Sequence, residues 1–74
     1  MDNKSGRWLR VEAVTSRTDL RKSGPTHPVA VNLAQVIRIE QFLEGTIFRY
    51  VDMEETVTVE DFEKTCLAIM ASES

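Results

Sequence analysis

A chain of 74 residues with 42% hydrophobic and 28% charged composition is one small domain, not a disordered segment. The single cysteine, Cys66, excludes an internal disulfide, and no apolar run reaches the roughly 18–20 residues needed to cross a bilayer. These totals predict a cytoplasmic protein with no membrane association, and the polar start Met-Asp-Asn-Lys-Ser-Gly predicts a flexible terminus with no secretory signal.

The net charge of −3 is unevenly spread. Residues 1–28 carry Lys4, Arg7, Arg10, Arg17, Arg21 and Lys22 against three carboxylates, whereas residues 29–74 carry three cations against nine carboxylates. Such asymmetry can steer a charged partner.

Arg7 to Thr15 alternates, with Leu9, Val11 and Ala13 on one side and Trp8, Arg10, Glu12 and Val14 on the other. Period two predicts a strand. Ser16 to Pro28 contains Gly24, Pro25 and Pro28 and reads as a long basic loop. Val29 to Leu33 gives a short second strand, and Asn32 to Gln35 a single helical turn capped by Asn32.

Residues 36–43 and 46–52 form two hairpin strands with apolar residues on both faces. A four-residue loop, Leu43 to Thr46, sets Phe42 opposite Ile47, Glu40 opposite Arg49 and Ile39 opposite Tyr50. It avoids a positive φ at Glu44. In this register Ile37, Ile39, Gln41, Phe48 and Tyr50 face the core. Val36, Arg38, Glu40, Phe42, Ile47, Arg49 and Val51 face outward, with a Glu40–Arg49 pair in the middle. Asp52 to Glu55 makes a polar corner, and Glu55 to Thr58 a last strand with Val57 inward. Val59, Phe62, Cys66, Ile69 and Met70 then recur as the stripe of an amphipathic helix, with Thr58 as its N-cap. A polar tail follows at 72–74.

The fold class these elements predict is α+β: a four- or five-stranded, mostly antiparallel sheet with one C-terminal amphipathic helix packed on one face, over residues 7–71.

No catalytic, cofactor or metal signature emerges. His27 is a lone loop histidine, and Cys66 sits on an apolar stripe as a small core residue. Asp52, Glu54, Glu55, Glu60, Asp61 and Glu63 lack the ligand spacing of a calcium loop and suit a turn and the start of a helix. The three scattered glycines make no phosphate loop.

Three binding readings remain. The outward hairpin face, with Trp8, Phe42, Ile47, Arg49 and Val51, has the residue types of an interface core and predicts a homo-oligomer or another protein partner. An exposed edge strand offers a second route to self-association. Arg7, Arg10, Arg17, Arg21 and Lys22 form a candidate basic contact surface for nucleic acid or an acidic partner, which the pI of about 5.0 disfavours. The carboxylates of residues 52–63 suit an acidic inhibitor that mimics nucleic acid.

The stretch Val29-Ala-Val-Asn-Leu-Ala-Gln-Val-Ile-Arg-Ile-Glu, with Val57-Thr58-Val59-Glu60 entering a helix, resembles the small flagellar-regulon proteins of the FlbD type over about residues 29–71. The order of elements also resembles part of the LytTR-type DNA-binding domain. The strands expected after the LytTR helix are missing and the chain is acidic, so DNA binding is not carried over. The resemblance implies a small bacterial or mobile-element accessory protein without an enzymatic site.

Overall fold

Two hairpins meet in the middle of one sheet. The computed structural model describes residues 7–72, so the N-terminal six residues and positions 73 and 74 lie outside the described chain. The elements are β1 (Trp8–Val14), α1 (Arg17–Arg21), β2 (His27–Asn32), a 3-10 turn (Leu33–Gln35), β3 (Val36–Phe42), β4 (Gly45–Tyr50), β5 (Glu55–Thr58) and α2 (Phe62–Ser72). All pairings are antiparallel and the strand order is β2-β1-β5-β4-β3. The class is α+β, with α2 as the C-terminal helix.

The period-two pattern of β1 decides both faces of the sheet. Val11 is buried with Val31 and Phe48, and Leu9, Val29, Leu33, Val36, Ile39, Tyr50 and Ile69 pack around them. This is the face that α2 covers. Three threonines extend it under the start of α2. Thr58 donates its hydroxyl to the carbonyl of Thr46, Thr46 donates to the carbonyl of Glu60, and Thr56 bonds the Tyr50 hydroxyl. Thr46 and Thr58 are wholly buried, and these bonds satisfy their hydroxyls.

β1 and β5 share only two register pairs, Ala13 with Thr58 and Val14 with Val57. The join is closed by side-chain help. Where β5 turns away toward α2, Val59 donates to the carbonyl of Glu12, and a Glu60 carboxylate oxygen accepts from the Glu12 amide at 2.7 Å.

Several expectations from the chain are corrected. The segment 16–28 is not a structureless loop. Ser16 caps α1 by accepting from the Asp19 amide, and the helix ends with Ser23 donating to Leu20 and Gly24 donating to Asp19. Those two bonds are a Schellman ending, with Ser23 at φ 54° in the position glycine usually takes. β2 begins at His27, two residues earlier than expected. The Asn32-capped turn does form, with the Asn32 side chain accepting from Ala34.

The hairpin register also differs. Phe42 pairs with Gly45, Gln41 with Thr46, Glu40 with Ile47, Ile39 with Phe48 and Arg38 with Arg49. The loop is Leu43-Glu44, and Leu43 takes the positive φ, 54°. Gly45 is needed for closeness instead, because a Cβ there would lie 2.1 Å from the Thr58 carbonyl oxygen. The slip from the expected pairing is an even number of residues, so the faces survive it. A bulge between Val36 and Arg38 breaks the alternation, so Val36 joins the core face and Ile37 is 60% exposed.

Finally, α2 starts later than expected. Asp61, not Thr58, accepts from the Lys64 amide as its cap. Thr65 is buried, with Phe62, Cys66 and Ile69 half-buried beside it, while Val59 and Met70 are exposed.

Candidate interaction surfaces

The sheet face opposite α2 was expected to be open. One end of it is roofed by α1. Val14, Ile47 and Val57 are buried together there, and Leu20 and Phe42 pack against them. Leu20 is the apolar residue in the Ser16–Lys22 run, so this five-residue helix covers the sheet with one large side chain. Ile47 is consequently 1% exposed and presents nothing to a partner. Phe42 is half-buried, with the guanidinium carbons of Arg17 and Arg21 at 5.2 and 5.5 Å from its ring centroid. Each such contact is worth about 0.5–1 kcal/mol at an exposed site.

Beyond this roof runs a line of alternating charges. Arg17 donates through Nε and Nη2 to the two carboxylate oxygens of Glu55, both at 3.0 Å. Arg49 lies 3.8 Å from Glu55 and 3.6 Å from Glu40, and Arg38 meets Glu40 at 3.0 Å. The expected Glu40–Arg49 pair therefore exists, but as a diagonal contact. Directly opposite Arg49 is Arg38. The Arg49 Nε is buried without a hydrogen bond. Its attraction to Glu40 is coulombic, since 3.6 Å is too long for a hydrogen bond. The Arg17 guanidinium is held above its ordinary pKa chiefly by its hydrogen bond to Glu55, and the Glu55 carboxyl is held below its ordinary value by the same bond.

The five residues expected to form one interface do not lie together. Trp8 is 61% exposed at the far end of β1, six residues from Val14 and so about 20 Å along the strand. Val51 is exposed in the turn after β4, Ile47 is buried, and Phe42 and Arg49 belong to the α1 roof and its ion line.

The basic residues are divided as well. Arg7 borders a groove on the α2 side, with Leu33, Val36, Ile39 and Ile69. Arg10 pairs with Glu12 at 2.8 Å, Arg17 with Glu55, and Arg21 stacks on Phe42. Lys22 is the C-cap of α1. The carboxylates of 52–63 have structural tasks: Asp52 accepts from Glu54 in the turn, Glu55 holds Arg17, Glu60 binds the Glu12 amide, and Asp61 caps α2. His27 is exposed on β2, and among the described residues no three potential metal ligands cluster. No helix among them is long and apolar enough to cross a membrane.

Apart from Trp8 on β1 and Leu67 and Met70 on α2, which are exposed apolar groups, the surfaces left for strand pairing are the two sheet edges. β2 carries Pro28, which offers no N–H and blunts that edge. β3 has no such block. No described strand lies beyond it. Its N-terminal half is flanked on the α2 side by a groove of about 310 Å3 and on the other by one of about 300 Å3 lined by Ile37, Arg38, Arg49, Tyr50 and Met53. Ile37 and Met53 are the exposed apolar groups here, and neither is signalled by the sequence. The bulge that turns Ile37 outward has no glycine to mark it. Comparison of the chain with protein-family models, curated proteins and solved structures finds no match.

Proposed function

We propose that this protein is a small non-enzymatic interaction or regulatory module that self-associates through the β3 edge of its sheet, in a cytoplasmic, reducing setting. The observation that carries this reading is the β3 edge itself. It is an outer strand with no described strand on its far side, beside an exposed Ile37, whereas the opposite edge holds Pro28. Unpaired strand edges are templates for a further strand, and main-chain hydrogen bonds then supply much of the affinity. Cys66 is a free thiol, which suits a reducing compartment. The ground for proposing a bacterial accessory protein is the resemblance of residues 29–71 in sequence to the small flagellar-regulon proteins of the FlbD type.

Sedimentation velocity from micromolar concentration to tenfold higher tests the self-association. A concentration-dependent shift toward dimer supports it, and a monomer unchanged across that range rejects it. The alternative, binding of nucleic acid or an acidic partner by the N-terminal arginines, has less support because Arg10 and Arg17 already hold Glu12 and Glu55. Retention on heparin at low salt that disappears as salt rises would favour it instead.

A further inference from the structure

The β3 edge carries information about how a second copy would pair with it. The loop Leu43-Glu44 is closed by Phe42 and Gly45. The residues flanking a two-residue hairpin loop form a hydrogen-bonded pair, and such pairs alternate with non-hydrogen-bonded ones along the ladder. Glu40 with Ile47 and Arg38 with Arg49 are then the next hydrogen-bonded pairs, and their backbone groups point toward β4. The backbone N–H and C=O groups of Ile39 and Gln41 point the other way, out of the sheet.

Ile39 is flanked by residues of opposite charge, Arg38 and Glu40, on the face opposite α2. Arg38 is the more exposed of the two. From this geometry we infer that two copies of the chain join β3 to β3 antiparallel, about a two-fold axis through Ile39, giving a continuous sheet across the dimer. The inference rests on the self-association reading above and specifies its register.

In that register Ile39 meets Ile39 of the second copy as a hydrogen-bonded pair using the outward groups. Arg38 lies opposite Glu40 of the second copy, and Glu40 opposite its Arg38. Those are non-hydrogen-bonded pairs, in which side chains approach most closely. With the Arg38–Glu40 contact already present in each chain, the four side chains close into a ring of alternating sign. A two-fold interface must be self-complementary, and charges of opposite sign placed symmetrically about the axis satisfy that. Centring on Gln41 instead would set Glu40 against Phe42 and run the strand into the Leu43-Glu44 loop. Centring on Ile37 would place the axis on the bulge. Ile39 is the outward-pointing position with regular strand on both sides.

The test is charge reversal with exchange. Arg38→Glu places like charges at both symmetric sites, and so does Glu40→Arg. Each variant alone should dimerise about tenfold more weakly than the parent chain. An equimolar mixture of the two should regain dimer, because every site in the mixed dimer again pairs opposite charges. Circular dichroism checks that each variant folds.

A second measurement does not depend on charge. In a Cys66→Ser background, Arg38→Cys mixed with Glu40→Cys should oxidise to a covalent heterodimer. Opposed Cα atoms at about 4.5 Å are within disulfide range. Arg38→Cys alone should not cross-link, since its two copies are two positions out of step. A parent chain that is monomeric throughout overturns the self-association reading itself. A dimeric parent with both reversals unchanged and no mixed disulfide overturns the Ile39 register while leaving self-association standing.

Discussion

Arg17 and Glu55 are joined by two parallel hydrogen bonds of 3.0 Å across 38 positions of sequence. One residue opens α1 and the other opens β5. The pair therefore fastens the small helix to the centre of the sheet, beside Leu20 and the stacked Phe42. A fork-to-fork arginine–carboxylate pair also fixes orientation, which a five-residue helix cannot do by its own hydrogen bonds.

This pairing predicts a pH dependence. The Glu55 carboxyl lies below its ordinary value of 4.5, first through the Arg17 hydrogen bond and then, against the opposing cost of desolvation, through the charges of Arg17 and Arg49. A carboxyl with a depressed folded pKa contributes stability that is complete above its unfolded value and is lost as pH falls through the folded one. Glu55→Gln should therefore be less stable than the parent at pH 7. The two should converge in urea midpoint as pH falls below about 4.5. An equal gap at pH 7 and pH 3 would show that ionisation of Glu55 contributes nothing.

Leu20 should prove to be the chief apolar fastening of α1. It packs on the buried trio Val14, Ile47 and Val57. Leu20→Ala should cost about 2 kcal/mol, the low end for such truncations because the site is only half enclosed. Ser16→Ala, which removes the cap, should cost about 1 kcal/mol. Urea unfolding measures both. Values near zero would mean that α1 adds nothing to the stability of the sheet.

Ser23 ends α1 with φ 54°, and its amide bonds Leu20 while the next residue bonds Asp19. A non-glycine residue in this region carries a backbone cost of about 1 kcal/mol or more. Ser23→Gly should therefore raise stability by about 1 kcal/mol, read as a higher urea midpoint with an unchanged slope. A lower midpoint would mean that the extra freedom of glycine in the unfolded chain outweighs the relieved strain.

Much of the sheet is legible in the sequence because alternation is a local signal. Leu9, Val11 and Ala13 point to one face whatever the chain does elsewhere, and the even slip in the hairpin leaves Phe48 and Ile47 on the faces their spacing implies. The cover over Ile47 is not legible in the same way. It depends on one apolar residue, Leu20, in a polar run whose helix stop is a serine with the glycine one position late. The bulge at Ile37 has no composition signal, so the exposed edge that carries the proposed interface could not be separated from the core stripe. The role of Glu60 was hidden for a related reason. It looks like a charge at a helix start, as Asp61 is, yet it completes the β1–β5 join across 48 positions of chain.

Gly45 and Leu43 sit on either side of Glu44 and have opposite requirements. The loop's positive φ falls on Leu43, an exposed side chain, while Gly45 lies where a Cβ would come within 2.1 Å of the Thr58 carbonyl oxygen. Backbone oxygen in a paired strand cannot move aside as a side-chain tip can. Gly45→Ala should therefore separate β4 from β5 locally and cost about 3 kcal/mol. Leu43→Gly should instead stabilise the protein by about 1 kcal/mol. The two effects arise from different causes, a clash between strands and a strained turn residue. Moving the glycine by making both changes together should leave a protein still about 2 kcal/mol less stable than the parent. If the double variant were as stable as the parent in urea, Gly45 would be serving the turn after all.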